Sequence, residues 1–301
     1  MFLDKKILLH VGYPKSLSTT LQKNIFLNIS KIKDMDFINK KRTQNRYFHV
    51  LKSISEKNII KDKFKNDFKK KTIISHEGFI NFEKNYDKEN AKLLFNFFEN
   101  NVALLIVIRK PSELHRSNFI HKIMELEYLS FEDYKKNTDY KKFDVINNIE
   151  DYIKYFKNII VVKAETLLSD YAFYKELFNL SEKQFSDLIK NKTTFNRSFS
   201  NLAIKFTIFI ENLFKIFGFS LRRYQNFLRN INDKNKSNVI SFILKRAKKY
   251  FQWRYLIQNV FDKLIPSKKF KLDLDDELKD YFDKLDNKYD QFSNYKIFKN
   301  F

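Results

Sequence analysis

Short runs of aliphatic and β-branched residues recur along the chain, each bounded by polar positions. Four stand out: I-L-L-H-V-G at Ile7–Gly12, T-I-I-S at 72–75, A-L-L-I-V-I at 103–108 and I-I-V-V-K at 159–163. A brief continuous apolar run predicts a strand buried on both faces of a parallel sheet. Between the runs, apolar residues recur at helical spacing and predict helices over 19–32, 47–56, 88–99, 112–127 and 146–156. Alternation of strand with helix argues for a three-layer α/β core. After Glu165 no further strand is expected. Helices are predicted over 201–217, 239–262 and 275–290, with a polar loop at 230–237. The expected division is an α/β core of residues 1–200 and a helical C-terminal portion of residues 201–301 packed on it. No Pro/Gly/Ser linker marks that boundary.

Composition narrows the function classes. Of 301 residues, 43% are hydrophobic and 31% charged, which excludes general disorder. With no Cys, a disulfide scaffold and any Cys-ligated metal site are excluded. There are three Gly, so a phosphate-binding loop here must be built mostly without them. Lys and Arg number 58 against 36 Asp and Glu, a net charge of +22. Abundant Lys, Asn, Ile and Phe point to residue bias as readily as to function, so this charge is discounted as a sign of nucleic acid. The opening M-F-L-D-K-K runs into an apolar segment too short for the core of a secretory signal. No stretch reaches the ~18 uninterrupted apolar residues of a spanning helix. Residues 202–219 come nearest and are broken by Lys205, Glu211, Asn212 and Lys215. A soluble, cytoplasmic protein is the expectation.

The segment H-V-G-Y-P-K-S-L-S-T-T-L-Q, from His10 to Gln22, carries the most chemistry. A strand ends at Gly12, a turn follows with Pro14 and Lys15, and Ser16, Ser18, Thr19 and Thr20 crowd the start of a helix. The first N–H groups of a helix lack intrahelical partners, and the helix dipole places partial positive charge there. Hydroxyls can donate to phosphate oxygens, and Lys15 adds a full charge. In an α/β sheet, ligands sit beyond the carboxyl ends of the strands, where this turn lies. The plain alternative is a Ser/Thr-capped strand–helix turn. The pattern is not a Walker A loop, whose G-x-x-x-x-G-K-[ST] is absent.

The order Gly12-x-Pro14-Lys15-Ser16-Leu17-Ser18-Thr19-Thr20 resembles the phosphosulfate loop of sulfotransferases that use 3′-phosphoadenosine 5′-phosphosulfate (PAPS). In that family the loop reads roughly P-K-[ST]-G-[ST]-T-x-L-Q. Here Leu17 stands in the usual Gly place. A second motif follows the third run: L-L-I-V-I-R-K-P-S-E-L-H-R-S, with Arg109, Pro111 and Ser117. The same family has a strand ending in Arg, a nearby Pro, and a Ser eight positions beyond the Arg. A guanidinium suits bidentate phosphate recognition, and Pro111 suits the first turn of a helix. Softer matches are Ser75-His76-Glu77-Gly78 to S-x-E-[GS], the segment 159–170 to a strand followed by Y-E-x-L-x-x-D, and Asn196-Arg197-Ser198 to an N-x-S segment.

The resemblance implies a three-layer, P-loop-like parallel sheet flanked by helices, with a helical C-terminal portion on the acceptor side. It implies that Pro14, Lys15, Ser16, Leu17, Ser18, Thr19 and Thr20 hold the 5′-phosphosulfate, and that Arg109 and Ser117 hold the 3′-phosphate. PAPS is the implied cosubstrate and no metal is called for. Lys15 would stabilise the leaving phosphate oxygen. Glu77 is the first candidate for a general base and His76 the second. His10, inside a strand, reads as a satisfied core histidine, while His115 and His121 read as acceptor-side or surface residues. The implied acceptor is a carbohydrate or other cell-surface precursor. Two other classes stay open. A basic nucleic-acid-binding protein would suit the charge, although no recognised module is visible and no nucleic acid is expected. A P-loop-like nucleotide kinase would need the missing Gly-rich loop. Peripheral membrane contact through 202–219 or 239–264 is a further alternative to core-facing helices.

Overall fold

A computed structural model describes residues 5–13, 18–39, 70–76, 89–98, 101–128, 130–190, 201–220, 270, 272–293 and 295–299. Six strands form one sheet: β1 Ile7–Gly12, β2 Asp36–Asn39, β3 Thr72–His76, β4 Val102–Ile108, β5 Asn158–Lys163 and β6 Tyr295–Lys299. Their order is β2-β3-β1-β4-β5-β6. The first five run parallel, with β1 central, and β6 adds to β5 antiparallel. This is the layered α/β sheet that the strand–helix alternation predicts. Each residue of β1 and β4 is buried, as a strand covered on both faces must be.

Side-chain alternation divides the layers. Leu8, Ile73, Ala103, Leu105, Val107, Ile160 and Val162 face one core. Against them pack Leu21, Ile25, Phe26 and Ile29 of the helical segment 18–32, with Leu167, Phe173, Leu177 and Leu188 from three short helices further on. Those three are Ala164–Ser169, Ala172–Phe178 and Glu182–Lys190. The opposite layer holds the helices Glu89–Phe98 and Val145–Ile153. There Phe95 meets Phe156 edge to face with ring centroids 5.6 Å apart.

The chain separates into two compact units. The first comprises 1–114, 139–196 and 276–301 and contains the sheet. It therefore takes in the C-terminal helix Asp276–Gln291 as well as β6. Phe282 of that helix packs on Phe143, centroids 5.8 Å apart. The second unit, 115–138 and 197–275, contributes helices among the described residues. Its core joins Phe119, Ile123 and Met124 to Tyr134, Ala203 and Ile204. The helix Asn201–Ile216 ends at Gly218, whose φ of +74° is the left-handed cap that glycine adopts without strain. Among the described residues, no helix is long and apolar enough to cross a membrane.

Two strands depart from the sequence reading. β2 is four residues, D-F-I-N, too short and too polar at its ends to signal itself. β6 overturns the expectation that strands stop after Glu165: Y-K-I-F-K alternates in the manner of an antiparallel edge strand. The helices predicted over 47–56 and 239–262 and the loop at 230–237 lie outside the described residues.

Candidate functional site

The helical segment 18–32 starts directly on the central strand. It opens with Ser18–Thr20, passes through a π-helical stretch at Leu21–Phe26 and continues as Leu27–Ile32. Ser18 is 2% exposed, and its Oγ has no hydrogen-bond partner among the described residues. A Cβ at residue 12 would lie 2.7 Å from that oxygen and 3.0 Å from Cε1 of His10. Glycine is therefore what lets the helix start approach the strand end. Thr19 and Thr20 are half-buried beside it. Pro14, Lys15, Ser16 and Leu17 lie outside the described residues, as does Glu77.

Below Ser18 lies a small polar array. His10 Nδ1 is 2.7 Å from Ser75 Oγ, which also accepts a hydrogen bond of 3.0 Å from Gln22 Nε2. The strand register places His10 opposite Ser75, so one face of the sheet carries both. The His10 ring meets Phe26 edge-on at 5.2 Å. Burial lowers its pKa from 6.5 to about 3, so the imidazole is neutral. His10 is a core histidine, as the sequence predicts, yet only half satisfied: its Nε2 is buried without a partner.

β4 brings the second motif to the same sheet edge. Gly12 pairs with Val107, and β4 ends one residue later, at Ile108. Arg109 follows, with Nη2 3.2 Å from Glu113 Oε2 in a half-exposed pair. Pro111 opens the helix Pro111–Met124, as its missing N–H allows. Lys110 donates to Asp290 Oδ2 at 2.7 Å, which raises its pKa. Asp286 accepts from the Ser112 backbone N–H at 3.0 Å and from its hydroxyl at 2.5 Å, capping the helix start. Burial raises the Asp286 pKa, opposed by those two hydrogen bonds and by Lys110. Tyr289 donates to Glu165 at 2.6 Å, with Lys163 Nζ 4.7 Å from its ring centroid. Burial foremost, then the Glu165 hydrogen bond, pushes the Tyr289 phenol well above its ordinary range.

Asp286, Tyr289 and Asp290 were not read from the sequence as part of this edge. Their spacing puts them on one helix face, which is the available signal, but nothing in it names β4 as the neighbour. His76 closes β3 opposite Val11, and its side chain is not among those described. Ser117 falls on the helix Pro111–Met124, in the part belonging to the second unit. His115 corrects the surface reading. It is 1% exposed, with its ring 5.5 Å from Tyr134 and 6.1 Å from Phe131.

No family model matches the chain. The small aggregate formation protein of Dictyostelium discoideum is 29% identical over 161 residues, 50% of this chain and 52% of its own length. The chain thus spans about half of that curated relative. Among solved structures, a sulfotransferase from Alicyclobacillus acidocaldarius aligns with a TM-score of 0.41 and 13% identity, over 67% of this chain and 90% of its own. A chain of the PezAT chromosomal toxin–antitoxin system of Streptococcus pneumoniae aligns at 0.28 and 15%, over 61% and 86%.

Proposed function

We propose that this chain is a PAPS-dependent sulfotransferase that moves a sulfuryl group to a hydroxyl or amine, with a carbohydrate or other cell-surface precursor as acceptor. One observation carries most weight. A buried serine hydroxyl without a partner, Ser18 Oγ, stands at the start of a helix that leans on the glycine ending the central strand. An anion beyond that strand end is what such a hydroxyl and the free helix N–H groups fit. Arg109 ends the neighbouring strand on the same edge. The two sequence motifs that resemble the family follow neighbouring strands of the sheet, β1 and β4, which supports the reading.

On this reading Ser16, Ser18, Thr19 and Thr20 hold the 5′-phosphosulfate, with Pro14 and Leu17 in the same binding segment. Lys15 meets the charge that develops on the leaving oxygen. Arg109 takes the 3′-phosphate bidentately, and Ser117 joins it on the motif spacing. For Arg109 this means exchanging Glu113 for the phosphate, a small cost for a half-exposed i,i+4 pair. The general base is Glu77 or, failing it, His76. PAPS supplies the activated sulfuryl group, and the protein supplies position and electrostatics.

The direct test is turnover. Incubation with PAPS and a panel of hydroxyl- and amine-bearing glycans should yield adenosine 3′,5′-bisphosphate and a sulfated product, and Lys15→Ala should form both more slowly. Product formed equally well by Lys15→Ala would overturn the assignment.

A further inference from the structure

The array under the helix start has a defined proton arrangement. Gln22 Nε2 can only donate, so it occupies one lone pair of Ser75 Oγ. Ser75 has one hydroxyl proton, and its remaining hydrogen-bond neighbour is His10 Nδ1 at 2.7 Å. That proton therefore goes to Nδ1. A neutral imidazole that accepts at Nδ1 carries its own proton on Nε2. Nε2 is buried without a partner, and so is Ser18 Oγ. Both flank Gly12: the position a Cβ would take there is 3.1 Å from Nε2 and 2.7 Å from Oγ. Two buried polar atoms left open within reach of one point call for a common arrangement that satisfies both.

We propose that His10 is a positioning residue of this site: its Nε2 and Ser18 Oγ are not bonded to each other in this structure, and when the nucleotide's 5′ anion arrives Ser18 Oγ turns to accept from Nε2, which directs the Ser18 hydroxyl proton to that anion. The inference rests on the nucleotide reading above. Without His10, the Ser18 oxygen is free to rotate and can bond back into its own helix start. With Nε2–H occupying a lone pair of Ser18, the serine becomes a directed donor, polarised through the sequence Gln22, Ser75, His10, Ser18. Only hydrogen bonds rearrange, and no proton changes owner. Gly12 is part of the device, since a side chain there would crowd both groups. The array also accounts for Ser75 and Gln22. They act on the ligand only through His10 and Ser18.

Two substitutions separate this role from a structural one. His10→Gln brings an amide N–H to about the place of Nε2. His10→Asn reaches the place of Nδ1 and leaves nothing facing Ser18. Calorimetric titration with adenosine 3′,5′-bisphosphate should show His10→Asn weakened about tenfold, the size of one lost hydrogen bond to an anion-binding group, and His10→Gln close to wild type. In a Ser18→Ala background, His10→Asn should cost nothing more. Near-wild-type affinity of a folded His10→Asn, or losses that multiply fully in the double variant, would overturn the proposal. A readout without ligand stands beside it. In long-range 1H–15N spectra of the unliganded wild type, the His10 ring should show the Nε2–H tautomer, assigned by its loss in His10→Gln. The Nδ1–H tautomer would overturn the array. Failure of the wild type to bind adenosine 3′,5′-bisphosphate would instead sink the nucleotide reading, and the proposal with it, whereas normal wild-type binding with an indifferent His10→Asn sinks the positioning role alone.

Discussion

The Ser18 hydroxyl lies against the Cα of Gly12, so that a Cβ at residue 12 would come within 2.7 Å of it. The helix that follows the central strand thus begins where only glycine leaves room. Ser18 could rotate away from a methyl group, but the His10 ring, held between Ser75 and Phe26, cannot. Gly12→Ala should destabilise the fold by about 1–3 kcal/mol, the usual cost of forcing extra volume into a packed site. Urea unfolding of the two proteins measures it; an unchanged midpoint would contradict the close approach.

Stability should also depend on pH through His10. Its native pKa of about 3 lies below the unfolded value of 6.5. Below that unfolded value, the unfolded chain takes up a proton that the native state does not. The stabilisation is complete above pH 6.5 and is lost progressively as pH falls toward 3. The slope from this one group approaches about 1.4 kcal/mol per pH unit. Among the described residues, the groups that the ring meets are Ser75 and Phe26, with Gly12 beside it, and none of them carries charge. His10→Gln should remove this share of the acid sensitivity, as read from urea midpoints between about pH 7 and pH 5.

The C-terminal helix secures the end of β4. Asp286 accepts from both the backbone and the hydroxyl of Ser112, in the first turn of the helix that follows Arg109. Asp286→Ala should cost about 1 kcal/mol, the value of a lost N-cap acceptor. Asp286→Asn, which keeps an oxygen in place, should cost less. Equal losses in the two variants would show that charge toward Lys110, not the cap, is what matters.

Arg109 and Lys15 should separate binding from chemistry. The Arg109–Glu113 pair is half-exposed, so Arg109→Ala should leave the unfolding midpoint nearly unchanged. It should weaken nucleotide binding, because a 3′-phosphate contact exists in ground and transition states alike. Lys15→Ala should lower turnover more than affinity, because its charge meets charge that develops during transfer. Comparison of kcat and KM for the two variants decides; the reverse split would exchange their roles.

Much of this was legible in the residues. The continuous apolar runs gave β1, β3, β4 and β5 nearly to the residue, because strands buried on both faces carry no polar alternation to blur them. β2 and β6 are the edge strands of the sheet, and neither carries the continuous apolar run that marked the strands between them. The helix opening at Pro111 follows from local chemistry and was read as such. The contact of Asp286 with Ser112 spans 174 positions, which no local pattern encodes. The half-satisfied state of His10 likewise depends on which residues the sheet register and the helix bring to its two nitrogens. The sequence shows a histidine in a strand and no more.

Nucleotide choice tests the central claim most directly. On the proposed reading, the motifs at Ser18 and Arg109 form two phosphate subsites set for a 5′ and a 3′ group, not for a triphosphate chain with magnesium. Titration calorimetry and thermal unfolding with adenosine 3′,5′-bisphosphate, against ATP and GTP with magnesium, compare the two directly. The account predicts tight binding of the bisphosphate, a melting temperature that rises with its concentration, and little response to either triphosphate. Equal or stronger stabilisation by ATP with magnesium would contradict it.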